Sequence, residues 1–191
     1  MTPLRIAFIT LLIGVSVGCG RDDSRAGIEI SAAVPPGWHY VSMTTVRPAG
    51  SALRFDALEL DHAIAVGQAA PLFALTSERP GSALTHAAVG INVQRGAHDA
   101  NTSAGGVLDE LLAASGEAVT VKQGVSATLV AGHAAAQAVL SDGGELEIVV
   151  VVVVFDGTVF TIAASLPLTS AQATRPAIEQ FISTLAITRS R

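Results

Sequence analysis

The chain has 191 residues, enough for one domain with a core that needs no staples. A net charge of −5, with Lys122 the only lysine and no basic run, excludes the clustered positive face that nucleic acids require. Half the residues are apolar, yet aromatics reach only 4% and charged residues 14%, so Ala and Val must build the core as thin side chains on a sheet.

Met1 to Gly18 has the three-part layout of a secretory signal. Arg5 precedes an apolar stretch, Ile6 to Val17, that is too short for a permanent membrane helix. Ser16-Val17-Gly18-Cys19 resembles a bacterial lipobox, which predicts cleavage before Cys19 and acylation of its thiol and amine. The ordinary signal peptidase would also accept Ser16 and Gly18. That outcome leaves a lone thiol at a new N-terminus in an oxidising compartment, an awkward product. Gly20 to Gly27 is polar and unpatterned and reads as a tether, at most about 28 Å long when extended. The reading is therefore a signal peptide over 1–18, a lipidated cysteine and tether over 19–27, and one domain over 28–188. Gly20 after the cysteine, by resemblance to enterobacterial sorting, favours the outer membrane.

Ile28-Glu29-Ile30-Ser31 alternates as a strand and runs into a rigid turn, Pro35-Pro36-Gly37-Trp38. His39 to Met43 alternates again. From Arg54 to Gly67 the pattern serves a helical face or a strand equally. Leu72 to Thr76 and Ala87 to Gln94 read as strands, with the turn-rich Glu78 to Ser82 between them.

Asn101-Thr102-Ser103 is a capping cluster. Val107, Leu108, Leu111 and Leu112 then fall on one helical face, and Gly116 is placed to stop the helix. Val119 to Val121 predicts a short strand, and Thr128 to Leu140 a longer one bent at Gly132. Ser141 to Gly144 is a turn before a strand from Glu145 to Val154, and Asp156-Gly157 is the strongest hairpin signal, returning as Thr158 to Ala164. The apolar run Ile148 to Phe155 predicts a central strand covered on both faces, hence helices on both sides of the sheet. Ile178, Phe181, Ile182 and Leu185 mark a last amphipathic helix, with Pro176 expected in its first turn.

This order of elements resembles the PsbP-like fold shared by photosystem-II extrinsic subunits, a Ran-binding relative, and bacterial lipoproteins of the LpqN and DcrB type. The resemblance rests on Pro35-Pro36-Gly37-Trp38 after the first strand, the helix from Ser103 to Gly116, and the turn at Gly132-His133-Ala134. The meander Glu145 to Ala164 and the closing Phe181 to Leu185 complete it. It implies an α+β fold: a three-layer α/β/α sandwich, mainly antiparallel sheet with helices on both faces. It also implies a binding, assembly or chaperone role, without catalysis.

Chemistry is sparse in the sequence. His39, His62, His86, His98 and His133 lie at no helical metal spacing from one another, so no metal or other cofactor is expected. No nucleophile elbow is present, and the one lysine lies in neither a P-loop nor an S-x-x-K motif. Glu145 and Glu147 share one face of a strand and suit acid–base work, or the solvation of a sheet end. No catalytic residue is assigned. Trp38, with His39 and Tyr40, is either a stiff aromatic anchor for a partner or a core plug in a chain short of aromatics. The expected function is that of a lipid-anchored envelope module, held to the membrane by Cys19, facing the periplasm and binding an envelope protein. A small-molecule carrier or a periplasmic hydrolase is the alternative.

Overall fold

The computed structural model describes residues 28–41, 46–48, 52–55, 70–77, 87–95, 101–116 and 119–189. The signal segment, Cys19, the tether and the turn from Glu78 to Ser82 lie outside them. Of the ambiguous stretch, Arg54 and Phe55 belong to a strand; the remainder to Gly67 is also outside.

The main sheet holds eight strands in the order β3 (Val46–Pro48), β2 (His39–Val41), β5 (Ala70–Thr76), β6 (Ala88–Arg95), β10 (Thr158–Pro167), β9 (Leu146–Phe155), β8 (His133–Ser141) and β7 (Thr120–Val130). Every neighbouring pair is antiparallel. A second sheet of three strands has β1 (Ile28–Ala33) between β11 (Ala186–Arg189) and β4 (Ala52–Phe55), also antiparallel. Two helices join them, α1 (Ala104–Ser115) and α2 (Ala171–Thr184). Among the described residues the fold is thus mainly antiparallel sheet with two helices.

β9 explains the shape of the core. Val150, Val151, Val152 and Val153 are all buried, at 3%, 1%, 0% and 0% exposure. Successive residues of a strand point to opposite faces. Val150 and Val152 accordingly pack in a cluster with Val107 and Leu108 of α1. Val151 and Val153 pack in another, with Ile178 and Phe181 of α2 and Ile28, Ile30 and Ile187 of the small sheet. A polar residue at any of these four positions would be buried without a partner. Valine, β-branched and compact, suits a strand confined on both faces.

α1 begins as its sequence requires. The Ser103 hydroxyl accepts the Gly106 N–H at 3.0 Å, and Gly116 ends the helix at φ 56°. A Cβ at Gly106 would sit 3.3 Å from that hydroxyl, so glycine keeps room for the cap. The loop before β9 is held by Asp142, whose Oδ1 accepts the N–H groups of Gly144, Glu145 and Leu146 at 3.1, 3.0 and 2.9 Å.

Three expectations need correcting. Thr128 to Leu140 is not one bent strand, and Val119 to Val121 is not a separate one. β7 runs on to Val130, and Ala131-Gly132 is a two-residue hairpin turn with both residues at positive φ, 55° and 79°. That is the type I′ pattern, which matches the twist of the flanking strands. Pro176 is not in a first turn. α2 starts at Ala171, because the Ser170 carbonyl accepts the Thr174 N–H at 3.0 Å and Ala-Gln-Ala extends the helix backwards. Pro176 withholds one helical hydrogen bond, from the carbonyl of Gln172, and both residues are exposed so water can serve it. Finally the chain does not close on a helix: β11 follows, and pairs with β1 from Ile28↔Arg189 to Ser31↔Ala186.

Candidate functional site

The β1–β2 connection is the turn singled out by sequence. Trp38 N–H donates to the Pro35 carbonyl at 3.2 Å, with Pro36 and Gly37 between them and Gly37 at φ 80°. Proline then glycine at the two central positions is the type II pattern, which needs positive φ at the second. Pro36 and Gly37 are exposed while Val34 and Pro35 are buried.

Trp38 itself is 6% exposed and lies in the cluster with α2 and β1. Tyr40, two residues on, is half-buried against the same cluster, so the two aromatics do share a face, and that face is the core. Trp38 is therefore the plug where the first strand turns, and its indole is not presented to solvent. His39 is half-buried; its Nδ1 is enclosed and has no hydrogen-bond partner among the described residues. The turn thus offers solvent a stiff Pro36-Gly37 tip standing on an aromatic base.

Glu145 and Glu147 do not form a pair of working carboxylates. Glu147 makes an ion pair with Arg175 of α2, tying that helix to the start of β9. Glu145 is exposed, and its backbone carbonyl accepts the Leu168 N–H at 2.9 Å. Glu145 therefore does solvate the sheet end, while Glu147 fastens a helix.

A second polar group sits where the small sheet meets the tips of two hairpins. Arg189 of β11 grips Asp156 of the β9–β10 turn through two bonds, Nε to Oδ2 at 2.5 Å and an Nη to Oδ1 at 2.8 Å. This fork–fork geometry suits guanidinium and carboxylate planes. His133, opening β8, places Nε2 3.1 Å from the Ile187 carbonyl. A carbonyl can only accept, so Nε2 carries the proton. The His133 ring also stacks, tilted by 58°, on Phe155 with centroids 4.6 Å apart. Asp156 is held below the ordinary carboxylate range, first by the Arg189 hydrogen bond and, against the small opposing cost of burial, by the charge of the same guanidinium. Arg189 is correspondingly raised by Asp156. Chemically this is a clasp, since the carboxylate is already committed to a guanidinium. Sequence reading treats Asp156 only as a turn residue, because 133, 156 and 189 meet only once β11 has docked.

Of the other sequence candidates, His62, His86 and His98 lie outside the described residues. Among those described, no three His, Cys, Asp or Glu side chains converge as a metal site. No helix of the described residues is long and apolar enough to cross a membrane.

No protein-family model matches the chain, and no curated protein matches it. Solved structures do. LpqN of Mycobacterium tuberculosis, described as involved in cell envelope biogenesis, is similar with a TM-score of 0.48 and 16% identity over 87% of each chain. A protein of unknown function from Pseudomonas aeruginosa, described as a putative regulator, is similar with a TM-score of 0.49 and 13% identity, over 80% of this chain and 97% of that one. Cyanobacterial PsbP from Synechocystis is similar with a TM-score of 0.46 and 12% identity, over 90% of this chain and 99% of that one. LpqN and PsbP are relatives that the sequence resemblance names, and the likeness is one of fold alone.

Proposed function

We propose that this protein is a bacterial cell-envelope lipoprotein, anchored through acylated Cys19, whose domain faces the periplasm and acts by binding an envelope protein. The observation that carries the reading is the order Arg5, apolar Ile6 to Val17, small Gly18, then Cys19. Two or three acyl chains give stable anchoring, since each buried methylene contributes about 0.8 kcal/mol. The short tether keeps the domain near its membrane, and Gly20 favours the outer one.

The domain so anchored is read as three layers, α1, the main sheet and α2. The division of the β9 valines between two clusters, one with each helix, supports that reading. Two of the ion pairs, Glu147–Arg175 and Asp156–Arg189, fasten elements together, which suits a framework that presents a binding surface. The proposed contact is the β1–β2 turn, through exposed Pro36 and Gly37 with His39 beside them, held from below by Trp38 and Tyr40.

Metabolic labelling with palmitate tests the anchor. The unmutated protein should take up label and fractionate with membranes, and Cys19→Ala should do neither. Unlabelled parent protein sinks the reading. Pull-down of the acylated protein from native membranes, repeated with Pro36→Glu at the exposed tip, tests the turn; capture that is indifferent to Pro36 moves the contact elsewhere.

A further inference from the structure

The strand register gives the domain two distinct ends. His133, Phe155 and Thr158 lie at one end, where the Ala131-Gly132 and Asp156-Gly157 turns protrude. The row His39, Thr76, Ala88, Ser165 and Ile148 crosses the other. β2 starts in that second row, so the Pro36-Gly37 turn lies at the far end. β1 starts at the hairpin-tip end: Ile28 lies opposite Arg189, whose guanidinium grips Asp156. The tether from Cys19 thus enters the domain beside the two hairpin tips. We propose that this end seats on the bilayer that holds the acyl chains, with Leu129 entering the headgroup region. The inference rests on the anchor at Cys19 proposed above.

Length decides which end can reach the membrane. Gly20 to Gly27 spans at most about 28 Å when extended. The ten residues of β9 alone run about 33 Å from one end of the sheet to the other. Seating the Pro36-Gly37 end on the bilayer would lift Ile28 by that distance, farther than the tether reaches. The hairpin-tip end meets no such limit, because the tether starts there. The β1–β2 turn then points away from the membrane, towards partners that approach from the periplasm.

The surface of the near end suits a bilayer. Leu129 is 72% exposed, and Ala131, Gly132 and Ala134 beside it are exposed as well. From Gln123 to Ser141 the sequence carries no Asp, Glu, Lys or Arg, so no charge need be desolvated when this hairpin is immersed. The polar groups nearby are already committed to one another. Arg189 and Asp156 neutralise each other, and His133 donates to the Ile187 carbonyl. Leu129 stands two residues short of Ala131, about 7 Å back along the strand. Apolar faces at an interface sink about 5–10 Å, so a shallow seating of the tip immerses Leu129.

The test uses the full chain purified from membranes and placed in vesicles of phosphatidylethanolamine and phosphatidylglycerol. Leu129→Cys and Val121→Cys are made separately; acylation of Cys19 leaves each introduced thiol the only free one. Both positions are exposed and apolar on the same strand, but Val121 lies opposite Leu140, which pairs with Ile148 at the far end. Each thiol is given the same environment-sensitive fluorophore. The label at 129 should be quenched by nitroxide-headgroup lipid and shielded from iodide in the water. The label at 121 should show the reverse. Protein that does not float with the vesicles overturns the anchor, and the seating with it. Floated protein whose label at 129 is as open to iodide as that at 121 overturns the seating alone and leaves the anchor standing.

Discussion

Removing the Trp38 indole leaves a large void where β1 turns into β2, under a turn whose two prolines cannot relax into it. A buried Trp→Ala change costs about 3–5 kcal/mol, so Trp38→Ala should lower the urea midpoint steeply. Because Trp38 is the only tryptophan, its emission should be blue-shifted in the folded protein and move red in one transition. An unchanged midpoint in Trp38→Ala means the indole lies outside the core. The Asp156–Arg189 clasp acts in a different currency. The folded carboxylate titrates lower than the unfolded one, so in the interval between them the unfolded chain binds more protons. Stability from this pair is present at neutral pH and is lost as pH falls through the depressed value. Asp156→Asn should therefore differ from the parent near neutrality and converge with it in strong acid. Both side chains are substantially exposed, so added salt should shrink the difference. A gap between the two melting curves that is constant with pH assigns Asp156 a role in the turn alone.

At the scale of elements, what could be read from the sequence was whatever is announced locally. The Ser103 cap and Gly116 stop bracket α1, Asp156-Gly157 announces a hairpin, and the valine run announces a strand closed in on both faces. The missed features share a physical reason: their cause lies elsewhere in the chain. β11 is four residues long and exists because β1 offers it a ladder; with it came the clasp, whose members are scattered through the sequence. Ala131-Gly132 lacks the Asn or Asp that signals a type I′ turn, so β7 and β8 read as one strand. Trp38 is a plug because it shares a buried cluster with residues of α2 and β1, which the local sequence does not announce. The hairpin yields its own prediction. Ala131 is held at φ 55°, a region that disfavours an L side chain by about 1–2 kcal/mol, and it is exposed. Asn tolerates that region, so Ala131→Asn should stabilise the domain by roughly 1 kcal/mol. A lower melting temperature in Ala131→Asn contradicts the turn geometry.

Across the whole molecule, β9 is the partition through which two cores must communicate. Val152 belongs to the α1 side and Val151 to the α2 side, yet they are neighbours on one strand, and its ladder to β10 fixes both. Neither cluster can form without the strand, so a domain of this size should unfold as one unit. Leu108 of α1 is fully buried on one side of the partition, and Trp38 lies in the cluster on the other. Leu108→Ala should cost about 2–5 kcal/mol through lost contact and the cavity left behind. That loss, made on the α1 side, should shift the Trp38 fluorescence transition as far as it shifts helical circular dichroism. Coincident shifts mean that the sheet transmits the damage whole. If the tryptophan transition stays in place while the helical signal melts early, the two faces are separate cooperative units and β9 does not couple them.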